Sequence, residues 1–293
     1  MNFSADALHA ISARITHQVD SVAIVPSTCV PPSTVLLSVA NTHHRPLRHM
    51  QFQTVRGLWC LLSRVVTLCA GFEDGEFGLC VPVPNFQPSD FQRNSYLDAI
   101  WLKWVLLAAA LSSNNCKQAV WIDADVLLLG NPFRALPPVP NYTLAYQSET
   151  TCTGCTSTCQ PNSGVLHARD RSLIEAILAA RNTSASRSNA LDQHVARQVL
   201  DTRRGQNMGG RFCSLGRRFM GHCWFGAMHW HGQVAPSSAE KRALLCNAVT
   251  FHACGAIPSN ARQKLALMNS TLHELATYCR AGAQVHHESR LIV

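Results

Sequence analysis

Hydrophobic positions along the chain fall into short, nearly continuous runs separated by longer stretches of mixed polarity. "TVLLSVA" (34–40), "SRVVTLCAGF" (63–72) and "KQAVWI" (117–122) are β-branched runs of the length a buried strand takes. Between them, "NTHHRPLRHMQFQTVRGL" (41–58) is of mixed polarity with Gly57 near its close, as a helix would be, and "SYLDAIWLKWVLLAAALSS" (95–113) is an apolar helix. Glycine and proline make "EDGEFGLCVPVPNFQPSD" (73–90) a loop. Strand, helix, strand, helix, strand in that order predicts an α/β fold, a three-layer α/β/α sandwich with a mostly parallel central sheet. Further on, "YTLAYQ" (142–147), "GVLHA" (164–168) and "NAVTFHACG" (247–255) read as strands, and "RDRSLIEAILAARN" (169–182) and "NALDQHVARQVL" (189–200) as helices. The stretch 202–222, rich in Gly and Arg without a period, reads as a long loop, solvated or able to close over a ligand. Residues 1–33 are weakly patterned and end in Pro/Ser/Thr punctuation, which marks an N-terminal extension or linker ahead of a domain at 34–293.

A hydrophobic fraction of 47% with 14% charged residues is enough for a sizeable core. The net charge of +8 favours an anionic partner without choosing among nucleotide, phosphate, nucleic acid and acidic glycan. Thirteen cysteines, spread along the chain and not grouped in paired CxxC knuckles, point to disulfides in an oxidising lumen, and the odd number leaves at least one unpaired. Sequons at Asn2, Asn141, Asn182 and Asn269 agree with a secretory route. No signal peptide or anchor is visible: the start is polar, and "AIWLKWVLLAAAL" carries Lys103 and falls short of the roughly 20 residues of a bilayer span.

Asp123 and Asp125 stand where the strand 117–122 should finish, and in parallel sheets ligands sit beyond the carboxyl ends of the strands. If extended backbone persists through both, side chains at i and i+2 point the same way and the carboxylates converge. Like charges so placed repel unless something positive lies between them. A hard divalent cation, Mn²⁺ or Mg²⁺, satisfies both and keeps positions open for substrate phosphates. Two acids at a strand end can also be a solvated loop entrance or a helix cap.

The whole run, "CKQAVWIDADVLLLGNPF" (116–133), is a strand ending in Asp-x-Asp, then apolar residues, then Asn-Pro-Phe. It resembles the Asp-x-Asp motif of nucleotide-sugar glycosyltransferases of the GT-A (Rossmann-like) fold, most like the retaining families that transfer galactose, xylose, arabinose or mannose. Five further segments resemble those families in the same order. "VLLSVANTHH" is similar to their first strand, which implies Ala40, Asn41 and Thr42 near the base, and Lys103 lies on a helix similar to their Lys-bearing one. "PNSGVLHARD" is similar to their Asn-x-Gly strand, which implies Asn162, Ser163 and Gly164 in the sugar or acceptor pocket. "LDQHVARQVL" resembles their Asp-Gln helix, with Asp192 and Gln193 beside the anomeric carbon. "VTFHACGAIPSNARQK" resembles their His-x-x-Gly…Lys segment, with a longer gap before the Lys. It implies His252 as a third metal ligand after Asp123 and Asp125, Gly255 at the donor, and Lys264 on the diphosphate.

The resemblance implies a metal-dependent transferase, in the Golgi or secretory lumen, that moves a sugar from a nucleotide donor, UDP-sugar favoured, to a glycan or glycoprotein with retention. Asp192 is the acid near the motif that could attack the sugar; with no second carboxylate evident, front-face attack guided by the leaving phosphate is expected. Each assignment has a structural alternative: His252 as a satisfied core histidine, Lys103 snorkelling, Asp192 capping its helix. Cys152, Cys155 and Cys159 have zinc-ligand spacing, with Cys213 or His167 as a fourth ligand, but without a second CxxC loop disulfides are the better reading. His229 and His231 alternate on a strand and could bind metal or line an acceptor groove, but a half-buried aromatic strand is the better reading.

Other function classes fit less of the chain. An aspartyl-phosphate phosphohydrolase would use the first aspartate as nucleophile and need further acids downstream to hold Mg²⁺; the aspartates after Asp125 are only Asp170, Asp192 and Asp201, none adjacent. A secreted disulfide-rich binding protein, or a glycosyltransferase fold without catalysis, is the non-enzymatic alternative. Nucleic acid is not expected, because the Arg- and Gly-rich stretch has no interleaved stacking aromatics.

Overall fold

Eight residues, Thr34–Asn41, form β1, an interior strand, and their alternation shows how the layers are built. Val35 and Leu37 point into one hydrophobic cluster and Leu36 into another, all three fully buried. A strand buried on both faces has no polar side, which is why its sequence is a nearly continuous apolar run broken by Ser38. The computed structural model describes residues 5–41, 45–53, 59–70, 79–82, 94–137, 142–149, 152–155, 161–183, 192–205, 211–222, 237–254 and 261–279.

In chain order the helices are α1 (Ala5–Ala23), α2 (Arg45–Gln53), α3 (Trp59–Leu62), α4 (Asn94–Leu111), α5 (Arg171–Thr183), α6 (Asp192–Gly205), α7 (Ser238–Asn247) and α8 (Ala261–Tyr278). The strands after β1 are β2 (Val65–Ala70), β3 (Leu79–Pro82), β4 (Gln118–Ile122), β5 (Val126–Leu128), β6 (Tyr142–Ser148), β7 (Pro161–Ala168), β8 (Arg211–Ser214), β9 (Phe219–Gly221) and β10 (Thr250–His252). Seven of them form one sheet in the order β3-β2-β1-β4-β7-β6-β8, and β5-β10-β9 form a second. In the large sheet β7 alone runs against its neighbours β4 and β6, while the other pairings are parallel. The expected mostly parallel α/β sheet is therefore present.

One face of the large sheet is covered by α1, α4, α5 and α6. Helix α4 buries Trp101, Trp104, Leu106, Leu107 and Ala110, apolar nearly all round because sheet and helices enclose it. No helix among the described residues is long and apolar enough to cross a membrane. The other face packs on the small sheet, behind which lie α2, α7 and α8.

Three expectations are corrected. Residues 5–23, within the segment read as an extension or linker, are helix α1: Ile11, Ile15 and Val19, four apart, form a buried stripe against α4. Arg64 then clips this helix to the sheet, donating to the carbonyls of Ala23 (2.7 Å), Thr34 (3.0 Å) and Val25. The loop 73–90 contains β3, which extends the sheet edge beside β2. The region 202–222 is not one loop, since it holds β8 and β9; Phe212 and Cys213, and Phe219 and Met220, are buried, while Arg217 and Arg218 between the strands are exposed.

Disulfides Cys29–Cys60, Cys69–Cys80, Cys155–Cys213 and Cys246–Cys279 link these elements, and Cys152 and Cys254 are also disulfide-bonded. Zinc at this cluster is thereby ruled out, because Cys152, Cys155 and Cys213 are used as disulfides. His167 bonds Tyr142 Oη (2.5 Å) and Gln118 Oε1 (3.0 Å) instead. Cys116 is the free cysteine among the described residues, and burial pushes its thiol up to about 12.

Candidate active site

Strand β4 stops at Ile122, whose carbonyl accepts from Ser38 Oγ of β1 at 2.6 Å. Asp123 follows as the last residue still tied to the ladder, its N–H donating to Gly164 O of β7 (2.8 Å) and its carbonyl accepting from Gln51 Nε2 of α2 (2.9 Å). The chain then turns, with Val126 N–H donating back to Asp123 O at 3.2 Å, and continues as β5 in the other sheet. The expected extended backbone through both aspartates is thus replaced by a turn, and the carboxylates converge because the chain is changing sheets. Opposite, β10 pairs antiparallel with β5, with His252 beside Val126, and Asp125 O accepts from Ala253 N–H at 3.0 Å.

This brings Asp123, Asp125 and His252 together: one donor atom from each lies within 4.8 Å of the other two. His252 Nε2 is 3.4 Å from Asp125 Oδ1. The ring lies directly against Gly164, where an added Cβ would sit 2.2 Å from His252 Cε1 and 2.4 Å from Nδ1. The glycine of the Asn-x-Gly segment therefore makes room for the histidine. Within the same strand Asn162 Oδ1 accepts from Gly164 N–H at 2.8 Å.

Two lysines offset the acids. Lys264, on α8, reaches Asp125 Oδ2 at 2.5 Å, with 24% of its side chain exposed. Lys103, on α4 and only 3% exposed, sits 3.4 Å from Asp123 Oδ1 and from Asp192 Oδ2 and donates to Ser163 Oγ at 2.9 Å. Its head does not snorkel to water. Asp192, in the first turn of α6, also accepts from the Trp104 indole at 3.0 Å, and Trp121 Nε1 donates to Asp123 Oδ1 at 2.6 Å.

These surroundings separate the two aspartates. Burial pushes the Asp123 carboxyl up and Asp125 adds to the push, outweighing the pull of Lys103. Burial would raise Asp125 too, but Lys264 and His252 together overcome it and hold that carboxyl well below the usual range. Burial alone would lower Lys103, yet Asp123 and Asp192 outweigh it and raise its pKa, so the ammonium stays charged. The result is a pair of carboxylates at different proton affinities beside an imidazole, the donor set of a divalent cation.

No protein-family model and no curated protein matches the sequence. Among solved structures, a glycosyltransferase involved in glycosylating the major capsid of PBCV-1 aligns over 82% of this chain and all of its own, with 12% identity and a TM-score of 0.50. The bifunctional glycosyltransferase WbbM aligns over 87% of this chain and 51% of its own, with 10% identity and a TM-score of 0.50. The chain has the GT-A glycosyltransferase fold. The likeness is one of architecture, and within the GT-A frame the expected residues fall as follows. Lys103, Asp123, Asp125, Asn162, Gly164, Asp192, His252 and Lys264 gather at the carboxyl edge of β4. Gln193 borders them, donating to Glu149 Oε1 at 3.1 Å. Ala40 and Asn41 end β1, while Thr42, Gly255, Cys159, His229 and His231 lie outside the described residues.

Sequence reasoning missed Gln51, Trp104, Trp121, Gln147 and Glu149. Each is an ordinary residue inside an element or, for Glu149, just past one, and no spacing marks it; only the topology brings it to the acids. Glu149, one residue past β6, supplies the second carboxylate near the Asp-Gln helix that the sequence did not reveal.

Proposed function

We propose that this chain is a metal-dependent glycosyltransferase that moves a sugar from a nucleoside diphosphate donor, UDP-sugar favoured, to a glycan or glycoprotein acceptor with retention. The observation that carries the reading is the convergence of Asp123, Asp125 and His252 within 4.8 Å at the carboxyl edge of β4 in a chain of this fold. Two carboxylates and an imidazole suit Mn²⁺ or Mg²⁺, and the missing Cβ of Gly164 leaves the ring its place. When bound, the cation supplies positive charge for the diphosphate as the sugar–phosphate bond breaks.

The chain's own residues do the rest. Lys264, partly open to solvent, is suited to meet phosphate oxygens. Lys103 is closed in, so its part is to orient Asp123 and Asp192. Asp192 has one oxygen engaged by Trp104 and Lys103, which suits a fixed acceptor for sugar hydroxyls better than a free nucleophile. That favours attack from the face the leaving phosphate occupies, with Gln193 oriented by Glu149 alongside. Ala40, Asn41, Thr42 and Gly255 are assigned to the nucleotide, and Asn162 and Gly164 to the sugar side. The disulfides support an oxidising compartment, for which the Golgi lumen is our reading.

A thermal-shift titration with UDP and GDP, each with and without Mn²⁺, tests this. Ligand at about 100 times its Kd stabilises by roughly 2.7 kcal/mol, a rise of several degrees. The expected rise needs metal and nucleotide together and vanishes in Asp125→Ala. No rise with either nucleotide would sink the reading.

A further inference from the structure

Gln147 is fully buried where the two sheets meet. It belongs to β6 of the large sheet, yet its side chain serves the small one. The β6–β7 register shifts between Tyr146 and Gln147, and such an irregularity re-aims the side chain that follows it. The amide Nε2 of Gln147 donates to the carbonyls of Met220 (2.9 Å) and Phe219 (3.3 Å) on β9, and its Oε1 lies 2.9 Å from His252 Nδ1.

These contacts determine where a hydrogen sits. Carbonyl oxygens only accept, so the amide end facing β9 is the NH₂ and the end facing His252 is the oxygen. An oxygen there needs a donor, so Nδ1 carries the hydrogen and the neutral ring keeps its lone pair on Nε2. That nitrogen faces Asp125 Oδ1 at 3.4 Å. A lone pair and a carboxylate oxygen so placed repel unless positive charge lies between them.

We propose that Gln147 is a positioning residue for the metal centre: it holds His252 in the Nδ1–H tautomer and thereby reserves Nε2 for a divalent cation shared with Asp123 and Asp125. This rests on the metal-dependent reading above. Both ends of the amide are needed, because β9 anchors the NH₂ and only an anchored oxygen dictates the tautomer. Without it, the other tautomer puts a hydrogen on Nε2 that bonds Asp125, and the nitrogen is lost as a ligand.

Two variants separate this role from packing. Gln147→Met keeps the length and removes both polar ends. Gln147→Glu, ionised at the pH of the measurement, loses the donor to Met220 O but presents only acceptor oxygens to His252, so Nδ1 still carries the hydrogen. Long-range ¹H–¹⁵N spectra of the metal-free proteins at about pH 8.5, above the usual histidine pKa of about 6.5, read the tautomer directly. The His252 signals are those missing from His252→Gln. The electron paramagnetic resonance of free Mn²⁺ reads metal affinity in the same samples.

The expected result is the Nδ1–H form in wild type and Glu variant, the Nε2–H form in the Met variant, and Mn²⁺ affinity about 10- to 100-fold lower in the Met variant alone. An Nε2–H form in wild type, or a folded Met variant with unchanged tautomer or unchanged Mn²⁺ affinity, overturns the proposal. Should the Met variant not fold, the wild-type and Glu spectra still decide it. Wild-type protein that shows the Nδ1–H form but binds no Mn²⁺ overturns the metal-dependent reading while supporting the hydrogen-bond assignment.

Discussion

The ammonium of Lys264 lies 2.5 Å from Oδ2 of Asp125, so a helix near the end of the chain neutralises an acid from its middle. In Lys264→Met a cation competing for that oxygen is gone, and so is a charge able to meet phosphate. Mn²⁺ binding without nucleotide, followed by paramagnetic resonance, is expected not to weaken, while turnover of the donor falls roughly 10²-fold. Weaker Mn²⁺ binding with normal turnover would contradict the assignment.

Gly164→Ala places a methyl 2.2 Å from His252 Cε1, in collision with a ring held by Gln147. Overpacking of this kind costs on the order of 1–3 kcal/mol, and the displaced ring no longer completes the metal site. Urea unfolding and the metal-dependent thermal shift check both effects. Gly130→Ala is the control, since its new Cβ meets nothing closer than Val249 Cγ1 at 3.4 Å.

Most of the alternating architecture was legible because its strands are apolar runs: β1, β2 and β4 declare themselves as buried on both faces. Helix α1 was not, because its buried stripe is only one residue wide per turn among polar neighbours. β9 was hidden for a related reason: three residues, Phe219–Gly221, show no period, and pairing with β10 makes them a strand. At the site, Asp-x-Asp and His-x-x-Gly were visible as motifs. The partners that orient them, Gln147 above all, were not, since a glutamine in a strand carries no signal until a register shift turns it.

His167 gives stability a pH dependence with a definite sign. Burial, the larger cause, and nearby Arg169 lower its pKa to about 3 from the ordinary 6.5. Between those values the unfolded chain binds the extra proton, so the stabilisation is full above about pH 6.5 and is lost as pH falls toward 3. The whole effect is on the order of a few kcal/mol. Urea midpoints measured from about pH 8 to 4 should fall more steeply for wild type than for His167→Gln.

Cys246–Cys279 clamps α7 to the far end of the helix that carries Lys264. Its sequence separation of 33 corresponds, by loop-closure entropy, to roughly 3–4 kcal/mol. Replacing both cysteines by serine should lower the unfolding free energy by about that much, as denaturant titration would read. An unchanged midpoint would mean the clamp adds nothing that packing of α7 on α8 does not already provide.

The ladder that joins Val126 to His252 is only three residues long, yet it unites segments made far apart in time. When a ribosome has finished β5, both aspartates exist, but the histidine, the glycine beside it and the second lysine do not all follow until residue 264. An unfinished molecule cannot hold the complete set of groups proposed to act on a donor. The site is therefore completed at a single late stage of synthesis, once α8 with Lys264 has joined β4 and β10.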